Sequence, residues 1–131
     1  TAYGMTEIGG NACLSFLDST QEQICETSGH PCDGFDFRVI DPDTGQDQPF
    51  DTPGEIILKS YNLMQCYYKK PEETAKAYNA DGWFLTGDMG YMRADGFLRF
   101  LGRYKDMLKI GGENVDPMEV EAYLQGHPDV A

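Results

Sequence analysis

Residues 82–114, "GWFLTGDMGYMRADGFLRFLGRYKDMLKIGGEN", break short apolar runs with glycine and charge at regular intervals. Runs this short suit strands joined by turns, since glycine supplies backbone angles that other residues resist. The stretch therefore reads as four strands, "WFLT", "GYM", "FLRFLG" and "DMLKI", with "RADG" as a hairpin turn between the second and third. A scaffold needs the turns. It does not need Asp88, Arg103, Lys105 and the Gly111, Gly112 pair between them, so a ligand is expected there as well as a sheet.

The remaining chain fits the same β-rich picture. "FDFRVI" places Phe35, Phe37 and Val39 on one face and Asp36 and Arg38 on the other. "DPDTG" is a turn, and "EIILKS" after Pro53-Gly54 is a second strand of high β-propensity. "KKPEETAKAYNADG" predicts a helix with Pro71 at its first position, Glu72 and Glu73 at its positive end, and Gly82 closing it. A last helix is expected from Asp116, with Glu119 three positions after the cap, ending before Gly126. Residues 1–34 show no clear periodicity, and "YGMTEIGG" reads as a strand end running into a glycine-bounded loop. Trp83, Phe84, Phe97 and Phe100 are assigned to the core.

At 131 residues the chain is one domain by length, or one plus a scrap. Its net charge of -12 argues against nucleic-acid or anionic-membrane binding, which both reward positive charge. Cys13, Cys25, Cys32 and Cys66 contain no CxxC pair, and only His30 and His127 could join them, which disfavours a zinc site. They read as reduced thiols of a cytoplasmic protein. No segment is long and apolar enough to span a membrane. The abrupt start on "TAYGMTE" and stop at "HPDVA" look like those of a cut-out.

Several residues could carry chemistry, each with a plainer alternative. In "YGMTE", Thr6 can donate to a phosphate and Glu7 can reach Mg²⁺ through oxygen; otherwise Thr6 merely caps a helix. Asp88 after "LTG" can take both hydroxyls of a ribose, or serve as a turn aspartate. Arg103 offers a fork of donors to a ribose oxygen or phosphate, or is a solvated surface residue. Gly111 and Gly112 allow close backbone approach to a ligand, or only shape a hairpin. Tyr3 is the aromatic nearest the proposed phosphate loop.

Taken in order, "YGMTE", "GWFLTGD", "GRYKDMLKIGGENVDPMEVE" and "HPDV" resemble the adenylate-forming superfamily, specifically the acyl-CoA synthetases. "PGEIILKS" and the run from Lys70 to Thr74 fit the pattern between these motifs. The resemblance implies an enzyme that joins a carboxylic acid, a fatty acid or another, to ATP and passes the acyl group to coenzyme A. It implies that Tyr3 lies against the adenine, with Gly4 in the same nucleotide loop, that Thr6 bonds the α-phosphate and that Glu7 helps hold Mg²⁺. Asp88 would grip the ribose with Arg103 assisting, Lys105 would be the hinge, and Gly111 and Gly112 would line the route of the pantetheine arm. The implied fold is α+β and β-rich. Residues 1–101 would close the AMP-binding domain as a small distorted β-barrel subdomain, and residues 102–131 would begin the mobile C-terminal domain.

The departures from that pattern matter too. The Ser/Thr/Gly-rich phosphate loop and the C-terminal lysine of the family have no counterpart in the sequence. Losing cations aimed at developing negative charge costs several kcal/mol of transition-state stabilisation, on the order of 2.7–4 for one donor. The chain by itself is therefore expected to be inactive, and to expose apolar surface that drives homo-oligomer formation or domain swapping. Two other readings compete: a carrier-loading adenylation domain, and a stand-alone non-catalytic nucleotide-binding or interaction module.

Overall fold

The chain begins with β1 (Ala2–Met5), one 3-10 turn (Thr6–Ile8) and β2 (Gly10–Leu14). The computed structural model describes residues 1–110, 113–115 and 117–130. β1 pairs antiparallel with β2, and β2 with the short β3 (His30–Pro31). The β1–β2 ladder slips between Tyr3 and Gly4, where a side chain at position 4 would collide with the Gly10 carbonyl. Close backbone approach therefore requires this glycine. Between β2 and β3 lies α1 (Gln21–Glu26), an element absent from the sequence-based reading. Thr20 and Gln23 form its capping box: Gln23 N donates to Thr20 Oγ1 at 3.2 Å, and Thr20 N to Gln23 Oε1 at 3.0 Å.

A second sheet runs in chain order through β4 (Phe35–Ile40), β5 (Gly54–Ser60), β6 (Phe84–Met92) and β7 (Leu98–Arg103), all antiparallel. The expected strands "WFLT" and "GYM" are one strand, β6, and not two. Gly87 at φ 69° and a slip beside Met89–Gly90 let it bend without ending. Helix α2 (Pro71–Lys76) starts at Pro71 as expected but stops well before Gly82. Its continuation is diverted into the sheet. Leu85 N donates to Ala77 O at 2.8 Å, and Asn79 Oδ1 accepts from the amides of Asp81 and Trp83.

The two open sheets share one core. Tyr3, Ala12 and Cys13 from the first, with Ile8 from the turn between its strands, meet Ile56, Leu58, Phe84 and Leu98 from the second. Backbone bonds join them where Ser28 N donates to Leu98 O (2.7 Å) and Leu98 N to Gly29 O (2.9 Å). The result is strand-rich α+β. Each fully buried Ile or Leu here contributes about 1.5–3 kcal/mol relative to exposure. Phe84 and Phe97 are buried as expected, and Phe100 packs partly covered against the cluster. Trp83 corrects the expectation: it is only half-buried, because its ring lies under Arg38 (5.1 Å) and Lys59 (4.8 Å) on the outer face.

Beyond β7, β8 (Leu108–Ile110) pairs antiparallel with β9 (Glu113–Val115), and α3 (Pro117–Gln125) follows, ending before Gly126 as expected. Gly111, Gly112 and the helix-cap candidate Asp116 lie outside the described residues. No described helix is long and apolar enough to cross a membrane.

Candidate functional site

Strand register sets the first half of the site. β6 and β7 place Asp88 directly opposite Arg103, and Arg103 Nε donates to Asp88 Oδ1 at 3.0 Å. Tyr3, arriving from β1, donates its hydroxyl to Asp88 Oδ2 at 2.7 Å. Asp88 is only 3% exposed, whereas the Arg103 side chain is 44% exposed. One partner is thus locked in the core and the other can reach solvent.

The backbone beneath Asp88 is held by side chains. Asp88 N donates to Thr86 Oγ1 (3.0 Å), and that hydroxyl donates to Ile56 O (2.6 Å). Gly87 N donates to Glu55 Oε1 at 3.1 Å. Burial pushes the Asp88 carboxyl up from its ordinary range, against the opposing pull of the Tyr3 bond and the Arg103 charge. Burial also raises Glu55, and the nearby Asp88 charge adds to it. The Tyr3 hydroxyl is driven far above its usual value, first by burial and then by Asp88, so it acts as a donor throughout the accessible pH range.

The second half is the Thr6–Ile8 turn. Thr6 is exposed, and its hydroxyl has no protein partner among the described residues; Met5, not Thr6, stands at the cap position. Glu7 is half-buried, and its Oε1 accepts from the Tyr67 hydroxyl at 2.9 Å. An open cleft of about 410 Å³ runs past Glu7, Tyr67, Thr86, Arg103 and Lys105. Sequence candidates Glu7, Arg103 and Lys105 thus share one cleft, and Asp88 is bonded to Arg103 at its wall. Tyr3 and Gly4 are placed differently. The Tyr3 ring is 7% exposed and packs against Phe37 (6.3 Å) and Phe100 (5.9 Å), while Gly4 answers to Gly10. Gly111 and Gly112 lie outside the described residues.

Three participants were missed in the sequence: Tyr67, Thr86 and Glu55. Tyr67 and Glu55 act on partners 60 and 32 positions away, so no local spacing marks them. Thr86 sits two positions before Asp88, and its turn-like bond to Asp88 N was the one local signal.

Comparison with known proteins identifies the family of the chain. Residues 1–68 of the 131 match the family model described as AMP-binding enzyme. A mitochondrial medium-chain acyl-CoA ligase of Bos taurus is 36% identical over 129 residues, covering 98% of this chain and 21% of the relative. A 4-coumarate–CoA ligase-like protein of Oryza sativa is 37% identical over 134 residues, covering 98% of this chain and 24% of the relative. Among solved structures, the ATP-bound MatB of Rhodopseudomonas palustris superposes with a TM-score of 0.85 at 35% identity, covering 99% of this chain and 25% of that one. The o-succinylbenzoate-CoA synthetase of Bacillus subtilis, in complex with its acyl-adenylate intermediate, gives 0.88 at 33%, covering 99% and 26%. The chain spans only 21% to 26% of the length of these proteins. With more than half of its residues inside the family model, and a strand-rich fold shared with adenylate-forming ligases, the chain belongs to the AMP-binding enzyme family.

Proposed function

We propose that this chain is the nucleotide-facing segment of an AMP-forming carboxylic acid:CoA ligase whose acyl substrate is a fatty acid. The observation that carries the reading is the meeting of Glu7, Arg103 and Lys105 on one cleft, with buried Asp88 bonded to Arg103 at its wall. Relatives named as acyl-CoA and 4-coumarate–CoA ligases support the reaction class.

In this reading Thr6 donates to the α-phosphate from the exposed rim. Glu7 offers carboxylate oxygen to Mg²⁺, and one carboxylate beside phosphates is a donor set that this small, hard cation favours. Held there by Glu7, the ion would supply charge neutralisation at the phosphates. Asp88 accepts from the ribose hydroxyls. Its carboxylate has about four lone-pair sites, so it can keep the Tyr3 bond while Arg103, the exposed partner, swings aside or turns toward the ribose. Tyr3, with its ring covered on two sides, supports Asp88 from the core; its expected adenine contact is limited to what those neighbours leave open. Lys105 serves as hinge in the turn after β7, where Asp106 N and Met107 N both donate to Arg103 O. Residues from 102 onward then rotate, and Gly111 and Gly112 line the pantetheine route to coenzyme A.

Lacking the family's phosphate loop and C-terminal lysine in its sequence, the chain alone does not turn over. It self-associates through exposed residues such as Leu17, Tyr61 and Tyr68, and its setting is the cytoplasm. The testing experiment is calorimetric titration with a non-hydrolysable acyl-adenylate mimic. Binding by the wild-type chain that is lost in Asp88→Ala is the expected result, and no binding by the wild type overturns the nucleotide role. Acyl-CoA produced by the purified chain would overturn its inactivity, and a compact monomer at high concentration its self-association.

A further inference from the structure

We propose that Tyr67 is a positioning residue for Glu7: its hydroxyl fixes one carboxylate oxygen and thereby aims the other at the metal and phosphates in the cleft. This deepens, and rests on, the Mg²⁺ role given to Glu7 above.

The argument begins with how firmly Tyr67 is itself placed. Its backbone N–H donates to Thr74 Oγ1 at 2.9 Å, and that hydroxyl donates to Lys70 O at 2.8 Å, tying Tyr67 to the first turn of α2. The segment 62–67 then grips the Thr6–Ile8 turn at three points. Met64 N donates to Glu7 O (2.7 Å), Asn62 Nδ2 to Ile8 O (2.8 Å), and Tyr67 Oη to Glu7 Oε1 (2.9 Å). Tyr78 steadies the middle by donating its hydroxyl to Met64 O at 2.7 Å.

Two of the three grips act on backbone and are enough to define the turn. The third acts on the carboxylate alone, so its effect falls on where Glu7 points. A half-exposed glutamate left to itself samples several rotamers, and each must be frozen out when the cation arrives. A hydroxyl on Oε1 removes that freedom beforehand, while Oε2 has no protein partner among the described residues and stays available to a ligand. Hydroxyl and amide partners behind metal-binding carboxylates commonly govern ion affinity in this way. The "KKPEET" run thus reaches the metal ligand through one tyrosine, which explains its place in the site without touching the nucleotide.

The test is to titrate the protein with ATP by calorimetry across a series of Mg²⁺ concentrations, and to melt each sample. Wild type, Tyr67→Phe, Glu7→Gln and the double variant are compared. Tyr67→Phe is expected to raise the Mg²⁺ concentration for half-maximal ATP binding roughly tenfold, to shift Tm by no more than about 4 °C, and to add nothing in the Glu7→Gln background. An unchanged Mg²⁺ requirement overturns the proposal, whether or not Tm falls. Additive effects in the double variant overturn it as well, since they place Tyr67 on a path that bypasses Glu7. Wild-type binding that is indifferent to Mg²⁺ would instead strike the metal role of Glu7, and the positioning role with it.

Discussion

Tyrosine holds carboxylate twice in this chain, once inside the core and once at the rim of the cleft. Tyr3 donates to Asp88 where almost no water reaches, and Tyr67 donates to Glu7 where water has access. A buried carboxylate short of partners is costly, so Asp88 has both oxygens engaged, one by Tyr3 and one by Arg103. Even so, its affinity for a proton stays above the ordinary range. At the rim, solvent shares the work, and one oxygen of Glu7 can remain open. The same pair of side chains is thus fully engaged in one place and leaves a carboxylate oxygen open in the other.

The largest blow to that contrast should be Asp88→Ala. It strands the Tyr3 hydroxyl in the core and frees Arg103, for a loss of about 2–3 kcal/mol, read from the denaturant midpoint. Tyr3→Phe is the cleaner cut. It preserves the ring packing against Phe37 and Phe100 and leaves only Oδ2 unpaired, for about 1–2 kcal/mol. A neutral Tyr3→Phe would show that Arg103 alone satisfies Asp88, and the interior pair would lose its special standing.

A pH series sharpens the same point. Because Asp88 is raised in the fold, the native state binds more protons than the unfolded chain between the usual value of 3.8 and the shifted one. Stability should therefore fall as pH rises through that window and level off above it. Asp88→Asn should flatten that part of the profile when urea midpoints are compared across it. The smallest effect is expected from Tyr67→Phe, less than about 1 kcal/mol of stability for a half-exposed bond. A loss as large as that of Tyr3→Phe would erase the difference between core and rim.

What could be read in advance was local. "FDFRVI", "EIILKS", the "RADG" turn and the Pro71 helix start depend on neighbours a few residues away, and all four are present where expected. The capping box of Thr20 and Gln23 was equally local and went unread because the surrounding apolar pattern is weak. The unity of β6 was not legible, since the strands on either side carry it across the bend at Gly87. Nor was the early end of α2, which the sheet imposes through Leu85 and Trp83. In the site, Asp88 and Arg103 were each singled out, but their facing register emerges only from the hairpin. Tyr3 belongs to the core through a partner 85 positions away, and nothing near "YGMTE" announces it.

The half-buried Trp83 has a practical consequence. It is the single tryptophan of the chain, set at the entrance to the strand that bears Asp88. Arg38 from β4 and Lys59 from β5 lie over its ring, so three neighbouring strands meet at one chromophore. Its fluorescence is a native optical gauge of sheet alignment. Any ligand or substitution that shifts β6 against its neighbours changes the signal, and no dye has to be attached to see it.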